Sequence, residues 1–575
     1  MCKISALWFL LTGVATAQTC SLPGPSFPAP RNARKSGVFS QATDDFIDSL
    51  NNILFPPGDS PAPTIDSNLT SFTIQVYSAH NSKPFFEHYH TATSAQTNTV
   101  GVNRVDEDTV FRIGSVSKMW TVLLLLIENG FSSFHEPVSK YIPEIRAAIE
   151  ELQGDETLDN AIDIVRWEDV TIGELASQMA GMERSFGLGD ISSHPASQIP
   201  SALPHLHQSE IPECGLTPAC TRSQFFAEML RRHPIFPPSS GPAYSNDAFQ
   251  LLGYVVEAIA GKPFEDLLEE RLIEPLNLTH SSYSKPADHV GVIPGSLDTT
   301  MWNLELGGLS PAGAFYSSTK DLSILGRAIL NNNILSPALT RRWLKPVAHT
   351  AEPTFSVGYP WEIFSLNGST LTNIYTKGGD LGSYSAMMGL SPNHDAGFTI
   401  LAAGPRTAVA VWELADLVST ILIPALDAVA REEADHRFGG TYTSGNSSLT
   451  LTTDNGPGIK VTSWISLGED MLTTLANMQP GGPPENLDLR LYPTGLESPG
   501  KISFRSAVSG VSPTGPPRGP LTRACKAWML VDGLVYGSVA LDEFVFDIRE
   551  DGRAVSVSPR GLRTSFSLDG VGALH

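Results

Sequence analysis

Long apolar runs, basic charge and cysteine are all scarce in this 575-residue chain. A helix that crosses a bilayer needs ~20 consecutive apolar residues, and no later stretch reads as long enough, so no membrane span is expected. At the start, Lys3 precedes the short apolar run Ile4 to Leu11, and Ala15-Thr16-Ala17 supplies the small residues that a signal peptidase requires. This predicts a signal peptide over residues 1–17 and a secreted mature protein. Gln18-Thr19 stands between those small residues and Cys20, which excludes the bacterial lipoprotein pattern. Lys and Arg number 38 against 60 Asp and Glu, a net charge of −22, and losing Lys3 with the leader makes it −23 (37 against 60). That field excludes nucleic acid and anionic membrane surfaces as partners.

Of five cysteines, Cys2 leaves with the leader, and Cys20, Cys214, Cys220 and Cys525 remain, an even number in a compartment that permits disulfides. The short Gly- and Pro-containing loop makes Cys214–Cys220 the sterically easiest pair, which leaves Cys20 with Cys525. Their spacing suits no common zinc ligand set and no His-x-x-x-His is present, so neither a metal nor a cofactor is expected. Apolar residues at 41% and charged residues at 17% describe a globular protein with room for one large domain and a smaller one. Sequons at Asn68, Asn277, Asn367 and Asn446 fit a glycosylated exported chain.

Along the chain, the residues up to about 66 are dense in Pro, Ser and Gly and read as an extended arm (18–66), helical only around Phe46 to Leu54. From Ser71 the alternation Phe72, Ile74, Val76 and then Phe85 to Tyr89 predicts a β-hairpin. Helical periodicity marks Val116 to Glu128, Glu174 to Met182, Asp247 to Ala260, Pro263 to Leu272, Thr319 to Asn331 and about Thr407 to Glu433. Strands are expected at Asn373 to Thr376, Tyr384 to Leu390 and Phe398 to Ala403. The segment 184–238, crowded with Ser, Pro and His, reads as an inserted lid. Beyond His436 short alternating runs separated by turns predict a separate all-β domain over 436–575.

Four tetrapeptides fit Ser-x-x-Lys, beginning at Ser115, Ser282, Ser317 and Ser498. Ser115 follows a strand and opens an apolar helix, where free N–H groups and the helix dipole would stabilise an oxyanion. Lys118, three residues on, shares its helical face and can take or relay the serine proton. Tyr244-Ser245-Asn246 opens another helix with a phenol for acid–base work and a carboxamide for a substrate amide. Lys377-Gly378-Gly379-Asp380 ends a strand with a positive charge and two glycines against which a substrate backbone can lie.

In this order, Phe111-Arg112-Ile113-Gly114-Ser115-Val116-Ser117-Lys118, Tyr244-Ser245-Asn246 and Lys377-Gly378-Gly379 resemble the three motifs of class C β-lactamases and related serine esterases and DD-peptidases. The similarity covers roughly 71–433. The resemblance implies an α+β fold, a β-lactamase-like domain over 67–435 with an antiparallel sheet flanked by helices and a helical subdomain, followed by the barrel-like C-terminal β domain. It implies a serine hydrolase that works through an acyl-enzyme on an ester, thioester or amide of a small molecule or short peptide. An acyltransferase and an inactive binding protein of the same fold are the alternatives, and oligomeric state is left open. By the same resemblance Ser115 is acylated, Lys118 and Tyr244 move protons, Asn246 holds the substrate, and Lys377 tunes Tyr244 or binds a carboxylate. The backbone N–H groups of Ser115 and Asp380 form the oxyanion hole. Lys-Gly-Gly in place of Lys-Thr-Gly removes a hydroxyl that grips a β-lactam carboxylate, and Gln178-Met179-Ala180-Gly181 stands where relatives carry His-Thr-Ser-Gly. A substrate other than a β-lactam is therefore expected.

Overall fold

The computed structural model describes residues 21–56, 63–97, 100–152, 160–368, 371–478, 487–509, 519, 521 and 524–569. The expected leader and Cys20, and with Cys20 its expected pairing to Cys525, lie outside them. The chain forms two compact units: Arg31–Leu366 with Asn373–Leu426, and the described residues of Met1–Pro30, Asn367–Thr372 and Asp427–His575.

The first unit is built on an eight-stranded antiparallel sheet. Its strands are β1 (Ser71–Ser78), β2 (Phe86–His90), β5 (Ala348–His349), β6 (Phe355–Val357), β7 (Glu362–Asn367), β8 (Leu371–Leu381), β9 (Tyr384–Ser391) and β10 (Ala396–Ala403), in the order β2-β1-β10-β9-β8-β7-β6-β5. A separate two-stranded ribbon pairs β3 (Val110–Arg112) with β4 (Tyr316–Ser318). The middle strands β1, β9 and β10 are buried along their whole length, so in β1 the polar Thr73 and Gln75 that alternate with Phe72, Ile74 and Val76 are buried as well.

Helix α1 (Gly37–Leu54) begins well before the helical stretch expected in the Pro-rich arm. Ser36 caps it, and Phe39, Ala42, Phe46, Leu50 and Leu54 recur at three- and four-residue spacing to form its buried stripe, so the arm is bound to the catalytic unit through a true amphipathic helix. Phe39 and Phe46 meet Phe85 and Phe86 edge to face.

Helix α2 (Ser117–Asn129) buries every residue from Ser117 to Leu126 and ends at Gly130, whose φ of +57° no β-carbon would favour. Helices α3 (Pro143–Leu152), α4 (Ile172–Ala176), α5 (Arg222–Met229) and α6 (Asp247–Ala260) complete its surroundings, with α6 packed on α2. The helix expected over Glu174 to Met182 stops at Ala176: Gln178 and Gly181 both take positive φ, and the chain turns there instead.

The region 184–238 is fastened rather than loose. Its α5 buries Phe225, Phe226 and Met229, Arg222 pairs with Glu144 at 2.7 Å, and Cys214 is disulfide-bonded to Cys220.

The helical run Thr407–Phe438 is long and apolar enough to cross a membrane, contrary to the expectation that no later stretch would be. Half of its apolar window is buried, and its first part packs on β9 and β10, so its apolarity is that of a core helix.

In the second unit eight strands pair in a closed ring: Ser447–Thr452, Gly440–Ser444, Phe566–Leu568, Ala554–Pro559, Glu543–Ile548, Lys501–Ser509, Asp488–Ser498 and Ile459–Ser466, the last returning to the first. Closure removes open edges. Its interior holds Phe438, Tyr442, Trp464, Phe504, Phe544 and Phe546. The fold is thus α+β with a C-terminal β barrel, as the resemblance implied.

Candidate active site

Ser115 lies in a single tight turn, Gly114–Val116, immediately before α2, so the chain places its hydroxyl at the helix mouth rather than on the helix itself. The strand leading to it is held by Arg112, whose buried guanidinium donates to the carbonyls of Leu304 (2.7 Å) and Ala314 (3.2 Å) and lies over the Tyr316 ring. Of the other three Ser-x-x-Lys matches, the one that begins at Ser317 has both its serines, Ser317 and Ser318, fully buried in β4. Ser318 caps the helix Thr319–Leu330.

Two donors, one from the adjoining helix α2 and one from a distant stretch, meet at Ser115 Oγ. Lys118 Nζ donates to it at 2.9 Å and Tyr244 Oη at 2.6 Å. Lys118 Nζ also donates to Asn246 Oδ1 (2.6 Å) and to the carbonyl of Ala312 (2.7 Å), so the ammonium has three acceptors for its three protons. Asn246 Nδ2 in turn donates to Ser185 Oγ at 2.8 Å, which fixes the amide with its oxygen toward the lysine. Lys377 Nζ stands 5.4 Å from the Tyr244 ring centroid and donates to Glu362 Oε1 (2.6 Å) and to its neighbour's carbonyl, Gly378 O (2.7 Å).

Burial dominates the electrostatics. It pulls the Lys118 ammonium down to about 8, opposed by Tyr244 and reinforced by the Lys377 charge. For Tyr244 burial would raise the phenol, but the ammonium groups of Lys118 and Lys377 outweigh it and bring the group below its ordinary value. Lys377 is pulled down by burial and pushed back above its ordinary range by Glu362 and Tyr244. A serine hydroxyl thus faces a lysine and a tyrosine that both hold their protons less tightly than usual, which favours proton transfer near neutral pH.

The two glycines of Gly378-Gly379 have different reasons. A β-carbon on Gly379 would lie 2.2 Å from the Ile113 carbonyl and 2.5 Å from Ser115 N, and one on Gly114 would lie 2.6 Å from Asp380 N. Strand β8 therefore runs in backbone contact with the Ser115 turn, with Ser115 N and Asp380 N both close to that contact. The Asp380 side chain is turned to other work, accepting from Ser385 Oγ at 2.6 Å. Gly378 donates its N–H to Glu362 Oε2 at 2.9 Å.

Several residues at the site were given no role from the sequence. Glu362 pairs with Lys377 across neighbouring strands; an acid flanked by Trp361 and Ile363 was the available signal. Gln178, at a φ of +64°, uses Oε1 to accept the Ser245 N–H (2.7 Å) and its carbonyl to accept that of Ala243 (2.8 Å), which fixes the loop carrying Tyr244. Arg184 lies 4.7 Å from the Tyr244 ring centroid and accepts the Asn246 N–H on its carbonyl. Beneath Asn246, the buried carboxyl groups of Glu183 and Asp247 face each other; burial first, and then the Asp247 charge, push Glu183 well above the usual carboxylate range.

Residues 71–419 match the beta-lactamase family, and residues 430–569 match the family described as a beta-lactamase-like-like C-terminal domain. The chain belongs to the beta-lactamase family. A beta-lactamase-like protein of Arthroderma benhamiae is 29% identical, over 97% of this chain and 98% of its own. A protein of Phoma sp. named as a probable hydrolase is 26% identical over 85% of this chain and 80% of its own. Among solved structures, the class C beta lactamase from Rhodobacter sphaeroides aligns with a TM-score of 0.45 at 16% identity, over 66% of this chain and 99% of that one. In this member of a beta-lactamase-like hydrolase family, Ser115, Lys118, Tyr244 and Asn246 form one hydrogen-bonded cluster, with Lys377 beside the Tyr244 ring and paired to Glu362.

Proposed function

We propose that the protein is a serine hydrolase that cleaves an ester, thioester or amide through an acyl-enzyme. The observation that carries this reading is the pair of donors on Ser115 Oγ, Lys118 Nζ and Tyr244 Oη. The Lys118–Tyr244 pair removes the serine proton as Oγ attacks the acyl carbon, and Tyr244 returns it to the leaving atom. The Ser115 and Asp380 N–H groups receive the developing oxyanion, each donor being worth about 3–4 kcal/mol in the transition state. Water then releases the acyl group, with the same pair acting in reverse. Asn246 orients Lys118 and meets the substrate.

Export is part of the same proposal. Lys3, the apolar run Ile4 to Leu11 and Ala15-Thr16-Ala17 support a cleaved leader. Asn68, Asn277 and Asn446 are exposed in the fold, which fits glycosylation of their sequons.

A fluorophosphonate probe tests the enzymology directly. Wild type should label stoichiometrically and Ser115→Ala should not label; equal labelling of the two would end the proposal.

A further inference from the structure

A buried ammonium beside the catalytic phenol is a ready receptor for a carboxylate on the substrate's leaving side. Lys377 is such a group, only 2% exposed, next to a strand N–H that could serve as a second donor. In this chain both donors are already taken by one carboxylate. Glu362 Oε1 holds Lys377 Nζ at 2.6 Å while Glu362 Oε2 holds the Gly378 N–H at 2.9 Å. Glu362 is fixed by β7, whose backbone accepts Thr376 Oγ1 at 2.7 Å from β8, so the acid is locked in register with the lysine. Its side chain remains 21% exposed and borders a cavity of about 500 Å³. Phe236, Pro242, Phe355 and Trp361 line that cavity, and Tyr244 stands with Glu362 at its edge.

Tyr244 is the proton donor to the leaving atom, so the cavity it borders receives the leaving group. We propose that Glu362 is a specificity-determining residue: it fills the Lys377 carboxylate receptor from within, so the site accepts acyl substrates whose leaving group is uncharged and apolar and rejects those that carry a carboxylate there. This rests on the acyl-enzyme reading. In the reaction the bond from Ser115 Oγ to the acyl carbon forms and the bond from that carbon to the leaving oxygen breaks. The serine proton passes through Lys118 and Tyr244 to the leaving oxygen, and one water later restores Ser115 and yields the acid. A leaving group with its own carboxylate would bring that anion against Glu362, where the Lys377 charge is already paired and the Gly378 N–H already bonded.

Phenyl butyrate and 3-carboxyphenyl butyrate share an acyl group and differ in charge only at the leaving group. Their kcat/KM ratio is measured for wild type and for Glu362→Gln in about 0.5 M salt, where a Debye length below about 5 Å screens the protein's overall charge. The ratio within one preparation does not depend on how much of it is folded. Wild type should prefer the neutral ester by more than about tenfold, and Glu362→Gln should shrink that preference by about tenfold, because the amide frees the Lys377 charge for the substrate. A wild-type ratio near one, or an unchanged ratio in Glu362→Gln, with fluorophosphonate labelling of Ser115 intact, overturns this inference and leaves the acyl-enzyme reading standing. Absence of both labelling and turnover overturns the acyl-enzyme reading and the inference with it.

Discussion

Ser115 receives hydrogen bonds from a buried lysine and a half-buried phenol, and neither can change its charge without altering the other's. Lys118 and Tyr244 therefore titrate as a pair. Since burial brings Lys118 to about 8, kcat/KM should rise with pH along a limb near pH 8 as the pair gives up one proton and gains room for that of serine. The positive charge of Lys377 lowers both groups, so Lys377→Met should move the limb to higher pH; a pH–rate profile for the two enzymes checks the direction. A merely structural Lys377 would lower the amplitude and leave the limb in place.

Elements matter through how closely they approach. The contact between β8 and the Ser115 turn leaves no room for a side chain at residue 379, so Gly379→Ala should push the Asp380 N–H out of line. The cost expected is about 10²–10³ in kcat, the price of one oxyanion donor. Circular dichroism unchanged beside that loss would locate the effect at the site. At the start of α6, Asp247 lies buried against Glu183, with the phenol loop and the Arg184–Phe186 turn around it: Phe186 N–H donates to Asp247 Oδ2 at 2.7 Å, and the Arg232 charge acts on both acids. Because the folded protein raises the Glu183 carboxyl above its unfolded value, this acid's contribution to stability is complete below the usual carboxylate range and is lost as pH rises through the raised value. Glu183→Gln stays neutral throughout. Its melting temperature relative to wild type should improve between pH 5 and pH 8 by about 1 °C for each kcal/mol of linkage removed, as thermal scans at the two pH values would show.

On the scale of the whole molecule the net charge of −22 sets a negative field that any anionic substrate must cross. The kcat/KM for a carboxylate-bearing ester should rise between about 0.02 M and about 0.5 M salt, while that for its neutral partner stays level, because screening shortens the reach of that field. Steady-state assays across the salt series separate this long-range effect from the local one at Glu362, which persists at high salt.

The three motifs could be read without a structure because each is short: a serine and a lysine one helical turn apart, a phenol and an amide two residues apart, a lysine followed by two glycines. Local spacing also determined the hairpin of β1 and β2, the helix Asp247–Ala260 and the strand-rich C-terminal region, since apolar periodicity is a property of neighbouring residues. Glu362, Gln178, Arg184 and Ser185 belong to the same site but carry no local pattern. Their roles arise where β7 lies beside β8 and where a turn with positive φ meets the phenol loop, so pairing across separate stretches assigned them. The same holds for α1, whose stripe was obscured by flanking prolines until Phe85 and Phe86 supplied the surface it covers. The residue sequence thus determined which groups are available for the proposed acyl transfer, because those groups are held by helix and strand geometry. Tertiary packing decided which of them are charged, paired or closed to a substrate, because burial and contact between distant strands control proton affinity and access.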